Sequence, residues 1–227
     1  MHAKLDYVFE FLEDLSRNNT RAWIHERVNE RRFEVVQKTM LQWVSMLLLD
    51  MQDIEDTRNV RAKDCMYRIW RDTRFGSDKT PCKTYLSFII RAGGRRNEQR
   101  AAYYLQIGPN GQSFIGGGVY RPDAVSMHKI RTSLIEHGDN LHRILSSREF
   151  TKMFSSLERI TLKTRPRGFR IDDVSPEVRD LLRHTSWIAT RHLTDAEVLS
   201  KKFDTEILKV FRVLQPLNGW LNHALAS

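Results

Sequence analysis

Apolar residues recur every three to four positions through the first fifty residues, which is the spacing of amphipathic helices. The stripe Val8–Leu15 follows Asp6, which we predict to be an N-cap, and turn-forming residues at 16–19 end it. The same spacing resumes over Thr20–Leu48, with charged residues on the opposite face, and acidic residues follow from Asp50. The pattern therefore predicts a short helix followed by a long one.

The middle of the chain changes to short segments rich in aromatic and β-branched residues, which favour strands. Tyr85–Arg91 and Ala101–Ile107 are two of them, and a third is Ser113–Ile115 continued by Val119–Tyr120. Asn110-Gly111 lies between the second and the third, and this dipeptide supplies the positive φ angles of a tight hairpin turn. We therefore predict an antiparallel meander.

Helical signals return after the meander. Pro122-Asp123 predicts the start of a helix that ends near Gly138, and Trp187–Leu193 is one more predicted strand. A last amphipathic helix is predicted around Leu208–Leu217, with Pro216 near its end. Two further helix starts carry an N-cap with an N1 proline or a capping box: Ser175-Pro176-Glu177 and Thr194–Glu197.

The order of helices, strands and helices predicts an α+β fold. We expect an antiparallel sheet of four to five strands, with helices packed from both the N-terminal and the C-terminal parts. The 227 residues, of which 41% are hydrophobic, suffice for a sizeable core, and no repeat or low-complexity linker divides them, so we predict a single domain, 1–227.

Two features of the sequence lead us to expect a cytoplasmic protein. No apolar run is long enough to span a membrane, and acidic Asp6 and Glu10 stand where a signal peptide would be basic and then apolar, so no membrane partner is predicted. The two cysteines, Cys65 and Cys82, cannot build a disulfide framework, and we expect both to be reduced, buried thiols.

Positive charge is concentrated in one stretch. Between Arg58 and Arg100 there are twelve Lys and Arg residues against four acids, in a chain whose net charge is +9. Asp72 is the only acid close enough in sequence to neutralise the densest part, and like charges repel unless an anion lies among them. We therefore predict a pocket for a phosphorylated or carboxylated small molecule, lined by Arg68, Arg71, Arg74, Lys79 and Lys83.

The conformation of 68–74 decides which of these groups meet. If it is extended, Arg68, Asp72 and Arg74 share a face and Arg71 points away; if it is helical, Arg68, Arg71 and Asp72 cluster. Asp72 is also a weak catalytic candidate, because arginine neighbours lower a carboxylate pKa and make it a better orienter than base. The alternative is an ion-pair network that only fixes the start of the sheet.

A run of three glycines, Gly116, Gly117 and Gly118, and the nearby Tyr120 complete the predicted site. Bare backbone amides could cradle a phosphate ahead of the helix that starts at Pro122, although the spacing matches neither the Walker nor the Rossmann fingerprint. The structural alternative is a bulge or a close approach of two backbones, for which glycine inside a strand is typical.

The segment 68–83, with R-x-x-R-D-x-R-F followed by D-K-T-P-x-K, resembles the signature of a bacterial family of uncharacterised proteins, domain of unknown function 2461. Further similarity lies in 9–23 and 104–131, so the resemblance covers nearly the whole chain. Cys82 stands where a tyrosine is expected and Ile24 where an aromatic residue is expected. The resemblance implies an α+β fold and brings no assigned reaction.

A second basic run, 159–170, contains five cations and no acid, and with Trp70, Phe75 or Phe169 as stacking residues it keeps a nucleic-acid partner as the alternative. A structural protein without a ligand is the third hypothesis.

The sequence contains no recognised motif for a metal or a nucleophile, and His137 and His142 have no further potential metal ligands nearby. We therefore predict no metal, no cofactor and no recognised catalytic constellation. Whether the protein turns its ligand over stays open.

Overall fold

The computed structural model describes residues 5–74, 77–169 and 173–227. Across these ranges the chain has nine helices and one four-stranded antiparallel sheet with strand order β1-β2-β3-β4, which confirms the α+β prediction. The strands are β1 (Leu86–Ile90), β2 (Ala102–Ile107), β3 (Ser113–Val119) and β4 (Trp187–Leu193). The helices are α1 (Leu5–Arg17), α2 (Arg21–Ile24), α3 (Arg27–Asp50), α4 (Ala62–Cys65), α5 (Ala124–Leu145), α6 (Arg148–Phe154), α7 (Pro176–Arg183), α8 (Asp195–Val198) and α9 (Phe203–Ala226).

The chain clusters into two compact units, each drawn from three separated stretches. The first unit comprises Met1–Arg95, Tyr104–Ile115 and His192–Leu208. The second unit comprises Arg96–Tyr103, Gly116–Arg191 and Lys209–Ser227. No single cut along the sequence separates them, and the single-domain organisation stays a prediction.

The helices at the start of the first unit differ from the prediction in two details. Asp6 lies in the first turn of α1 rather than at its N-cap, where a carboxylate still favours the positive end of the helix dipole. The predicted long helix is broken near its start, because the Thr20 hydroxyl caps α2 by accepting the amide of Trp23. A separate helix, α3, begins at Arg27 and ends at Asp50, close to the predicted end.

The core of the first unit is organised around Trp43 on α3, which is 3% exposed. Its ring stacks on Phe203 with a centroid distance of 5.9 Å and meets the edge of Phe88 at 6.1 Å. Its indole Nε1 donates to Oδ1 of Asp204 (2.7 Å), so the only polar atom of the side chain keeps a partner. Helix α3, strand β1 and the start of α9 are therefore joined by one aromatic cluster.

The hairpin between β2 and β3 has the predicted turn. Asn110 and Gly111 have φ angles of 60° and 71°, the left-handed values that this dipeptide tolerates. Both of their amides donate to the Asp195 carboxylate, at 2.8 and 3.0 Å. Asp195 follows Thr194, whose capping box with Glu197 is also present, so the start of α8 holds the hairpin turn in place.

In the second unit, α5 is longer than predicted. It begins after Asp123, whose carboxylate accepts the amide of Ser126, and it continues through a kink at His137 to Leu145. Gly138 does not end the helix, because it lies where α5 meets α7: a Cβ there would come within 2.7 Å of Val178. Gly138 therefore allows α5 and α7 to pack closely and does not end α5.

Helix α9 also continues where a stop was predicted. Pro216 lies inside it, ten residues before its last residue, Ala226. Proline removes one backbone hydrogen bond, but Leu214, Leu217 and Leu221 on this part of the helix are fully buried and stabilise it through packing. None of the helices within the described ranges combines the length and the apolar character needed to cross a lipid bilayer.

Candidate functional site

We call residues 66–83 the basic loop, and its two described arms, 66–74 and 77–83, are extended and lie in the first unit. An antiparallel bridge joins Trp70 to Cys82, and the amide of Arg71 donates to the carbonyl of Pro81 (2.9 Å). The extended alternative for 68–74 is therefore the one that the structure shows. Pairing gives the two arms a defined geometry, although neither arm belongs to a named strand.

Arg71 is anchored by two partners on the opposite arm of the basic loop. Its Nε donates to the carbonyl of Cys82 (2.9 Å), and its Nη1 forms an ion pair with Oδ2 of Asp78 (2.8 Å). Hydrogen bonds from Thr80 lower the pKa of Asp78, and the charge of Arg71 adds to this effect. The prediction that Asp72 is the only acid able to pair is therefore wrong, because the loop brings Asp78 back to Arg71.

The other predicted cations of the basic loop lie at its surface. Arg74 holds Asp72 with two hydrogen bonds, Nε to Oδ1 at 2.9 Å and Nη2 to Oδ2 at 2.7 Å, and these bonds lower the pKa of Asp72. Lys79 donates to the carbonyl of Thr73 (2.8 Å). Arg68 is exposed and forms no hydrogen bond or ion pair within the described part of the chain. Asp72 is thus an ionised, exposed carboxylate, which makes it a poor base.

Lys83 differs from the other cations because it is half-buried among aromatic rings. Its Nζ lies 5.5 Å from the ring centroid of Tyr67 and 5.8 Å from that of Tyr85. The guanidinium of Arg95 lies over the same Tyr67 ring at 5.3 Å. Among the described residues no carboxylate pairs with Lys83 or with Arg95.

The surroundings of Lys83 disfavour its positive charge. Burial lowers the pKa of Lys83, and the positive charges of Arg71 and Arg95 lower it further. Both effects disfavour the ammonium, and an anion placed among these groups would act in the opposite direction. We call Lys83, Arg71, Arg95, Tyr67 and Tyr85 the Lys83 cluster.

Asn19 positions this cluster and was not found from the sequence. Its side-chain amide imitates a strand partner, since Nδ2 donates to the carbonyl of Cys82 (2.9 Å) and Oδ1 accepts the amide of Cys82 (3.1 Å). The same carbonyl accepts Nε of Arg71, so Asn19 fixes the atom that orients Arg71. The contact uses only the backbone of Cys82, which is compatible with a cysteine at a position where the family resemblance suggests tyrosine.

Neither cysteine has the environment of a nucleophile. Burial raises the pKa of the Cys65 thiol to about 12 and that of the Cys82 thiol to about 11. A thiol is reactive when cations or a helix N-terminus lower its pKa, and here burial outweighs the nearby arginines. Both are protonated at neutral pH and contribute to packing.

The predicted glycines and Tyr120 belong to the second unit. Gly116 and Gly118 lie in the interior of β3, which runs without interruption from Ser113 to Val119. A Cβ at either glycine would overlap a carbonyl oxygen of β4, that of Ala189 or that of Trp187. The glycines therefore allow a close approach of two backbones, and their role in binding a ligand stays a prediction. Tyr120 is 58% exposed.

The second basic run borders a small open cavity in the second unit. The cavity has a volume of about 210 Å³ and is lined by Arg165, Pro166, Pro176, Arg179, Asp180 and Arg183. Arg183 donates to the carbonyl of Leu162 (3.1 Å) and lies 3.9 Å from the carboxylate of Asp180. The lining of the cavity therefore carries more positive than negative charge. Arg170 lies outside the described residues.

The three aromatic candidates for base stacking are in different settings. Trp70 is 40% exposed, and its ring stacks on His25 at a centroid distance of 5.9 Å. Phe169 packs against His128 at 5.3 Å. Phe75 lies outside the described residues. Within the described ranges no group of three His, Cys, Asp or Glu side chains is arranged to hold a metal ion.

A family model of conserved hypothetical proteins, domain of unknown function 2461, matches residues 7–220. The chain belongs to this family. No curated protein and no solved structure matches it. In this member of the domain of unknown function 2461 family, Asn19, Arg71 and Cys82 are linked through one carbonyl oxygen.

Proposed function

We propose that this cytoplasmic protein binds a phosphorylated or carboxylated small molecule at the Lys83 cluster. The observation that carries the proposal is the half-buried ammonium of Lys83, which has two cationic neighbours and no carboxylate among the described residues. Of the five cations predicted to line the pocket, Lys83 and Arg71 belong to the cluster, and Arg95 joins them from outside the predicted set.

The physical argument is one of charge balance. A cation that is partly removed from water loses hydration, and it is usually compensated by a paired acid or by hydrogen bonds. The tyrosine rings compensate in part, because a cation over a ring face gains roughly 0.5–2 kcal/mol. They do not neutralise the charge, and Arg71 and Arg95 add repulsion. A phosphate or carboxylate would supply the missing negative charge, with Arg71 already oriented by Cys82 and Asp78.

Replacing Lys83 by Met is expected to weaken anion binding about tenfold, which corresponds to about 1.4 kcal/mol. Methionine keeps the apolar stem and removes the charge. Titration calorimetry with inorganic phosphate, ribose 5-phosphate and succinate measures the effect. Since the pKa of Lys83 is lowered, binding of a fully ionised anion should decline as the pH rises, earlier than it would for an ordinary lysine.

The matched control is Lys63→Met, which removes an exposed charge from α4 in the same unit. It should bind these anions as the unaltered protein does. The proposal is wrong if none of the three probes binds the unaltered protein, or if both methionine variants lose affinity equally.

Nucleic-acid binding is the second candidate, and the cavity at Arg165, Arg179 and Arg183 favours it. Exposed cations at 159, 163 and 167 continue the basic surface along the chain, as a polyanion would require. Binding of a short single-stranded DNA that falls steeply with salt, and that inorganic phosphate does not displace, would support this candidate over the first. DNA binding that phosphate displaces and that Lys83→Met loses would reject the cavity as the binding site and favour the Lys83 cluster.

A further inference from the structure

A row of aromatic side chains crosses the first unit from strand to strand and begins at the Lys83 cluster. We call Tyr67, Tyr85, Tyr104, Phe114 and His192 the aromatic row. Tyr104 on β2 stacks on Phe114 on β3, with a centroid distance of 5.2 Å and an interplanar angle of 27°. Phe114 in turn lies 6.1 Å from His192 at the end of β4. The row therefore follows neighbouring strands across the sheet.

Strand alternation explains why these rings share one face. Tyr103 and Leu105, which flank Tyr104, are 1% exposed and belong to the core. Ser113 and Ile115, which flank Phe114, are likewise buried. Tyr104 and Phe114 point to the other face, where both are half-buried, and His192 is exposed. The rings of Tyr104 and Phe114 therefore lie outside the closed core, and part of each reaches the surface.

The row and the Lys83 cluster are continuous. Thr84, which lies between Lys83 and Tyr85 in the chain, donates to Oε1 of Gln112 (2.9 Å). The carbonyl of Gln112 accepts Nε2 of Gln106 (2.7 Å), the residue that is hydrogen-bonded to Tyr104. Burial raises the pKa of Tyr104 to about 12, and its Oη donates to Oε1 of Gln106 (3.2 Å). Tyr104 is therefore a neutral phenol at physiological pH and cannot serve as the missing negative charge for Lys83.

We infer that the ligand of the Lys83 cluster carries a flat aromatic base beside its phosphate, so that the phosphate meets Lys83 and Arg95 while the base lies on Tyr104 and Phe114. This inference rests on the proposed function and narrows its ligand class. Aromatic side chains beside cations suit nucleotides because every base has a π-face and every nucleotide has a phosphate. Free nucleotides and single-stranded nucleic acid share this chemistry.

Titration calorimetry with the four ribonucleoside 5′-monophosphates, ribose 5-phosphate and inorganic phosphate tests the inference. At least one nucleotide should bind about tenfold more tightly than ribose 5-phosphate, since stacking on an aromatic side chain has that magnitude. Phe114→Leu should abolish this advantage and leave the affinity for inorganic phosphate unchanged. Retained phosphate binding also shows that the variant is folded.

The matched control is Phe33→Leu. Phe33 is a half-buried phenylalanine of the same unit that stacks on Phe11 at 5.8 Å and lies outside the aromatic row. The Phe33→Leu variant should still bind the nucleotide more tightly than ribose 5-phosphate. Lys83→Met should weaken nucleotides and inorganic phosphate alike, because it removes the charge that both use.

The outcomes separate the two proposals. If neither succinate nor any phosphate compound binds, the proposed function fails and the inference fails with it; if succinate alone binds, only the inference fails. If inorganic phosphate and ribose 5-phosphate bind as tightly as every nucleotide, or if Phe114→Leu keeps the nucleotide advantage, the inference alone is overturned. A short single-stranded RNA that binds more tightly than its mononucleotides identifies nucleic acid as the source, and equal or weaker binding identifies the free nucleotide.

Discussion

Replacing Gly118 by Ala is expected to lower the free energy of unfolding by about 3 kcal/mol, as overpacking and backbone strain each cost roughly 1–3 kcal/mol. The new Cβ would overlap the carbonyl oxygen of Trp187, which is backbone and cannot turn aside. The φ angle of Gly118, +121°, is also one that alanine rarely adopts. In a protein of this size such a loss lowers the melting temperature by roughly 10 °C.

Urea denaturation of Gly118→Ala beside Gly219→Ala measures this effect against a matched control. Gly219 lies in α9, and a Cβ there meets nothing within 4 Å. Alanine at 219 should leave stability unchanged or raise it by up to about 1 kcal/mol, because it favours the helix. Equal midpoints for the two variants would show that β3 and β4 are not in the close contact described.

Replacing Asn19 by Ala is expected to lower the free energy of unfolding by about 2 kcal/mol, since it leaves a part-buried amide and carbonyl of Cys82 without their partner. We also expect inorganic phosphate to bind about tenfold more weakly, because the Cys82 carbonyl that orients Arg71 loses its fixed position. Urea denaturation and titration calorimetry measure the two effects.

Asn18→Ala is the control for Asn19. The Asn18 side chain is exposed and donates only to the carbonyl of Asp14 within its own helix end (2.9 Å). Its loss should cost less than about 0.5 kcal/mol, as surface substitutions usually do. Asn19→Ala with unaltered stability would contradict the role given to its amide, and lower stability with unaltered phosphate binding would limit that role to folding.

Elements with local signals were predicted well. The capping signals at Ser175 and Thr194 mark α7 and α8, and Asn110-Gly111 marks the hairpin, because each signal acts through hydrogen bonds or φ angles within a few residues. Some errors concern where a helix begins, at Asp6 and Thr20. Others concern Gly138 and Pro216, residue types that often end a helix but do not end α5 or α9. Contacts with distant residues override them, and those contacts cannot be read from nearby sequence.

The site was predicted only in part, for the same reason. Charge density identified the basic loop, and with it Lys83 and Arg71. It did not identify Asp78 as the partner of Arg71, or Arg95 and Asn19 as neighbours, since these depend on how the chain returns to the loop. The aromatic row was visible only as strand composition, because its alignment across strands is a property of sheet register.

The interlaced path of the chain has a practical consequence for anyone who wishes to isolate the ligand site. A truncated chain that stops after β3 would keep the whole Lys83 cluster, yet it would lack Phe203 and Asp204, against which Trp43 packs. It would also lack Asp195, which secures the hairpin turn. Neither compact unit exists as one uninterrupted piece of sequence, so deletion mapping would report misfolding, and point substitutions in the intact polypeptide are the informative approach.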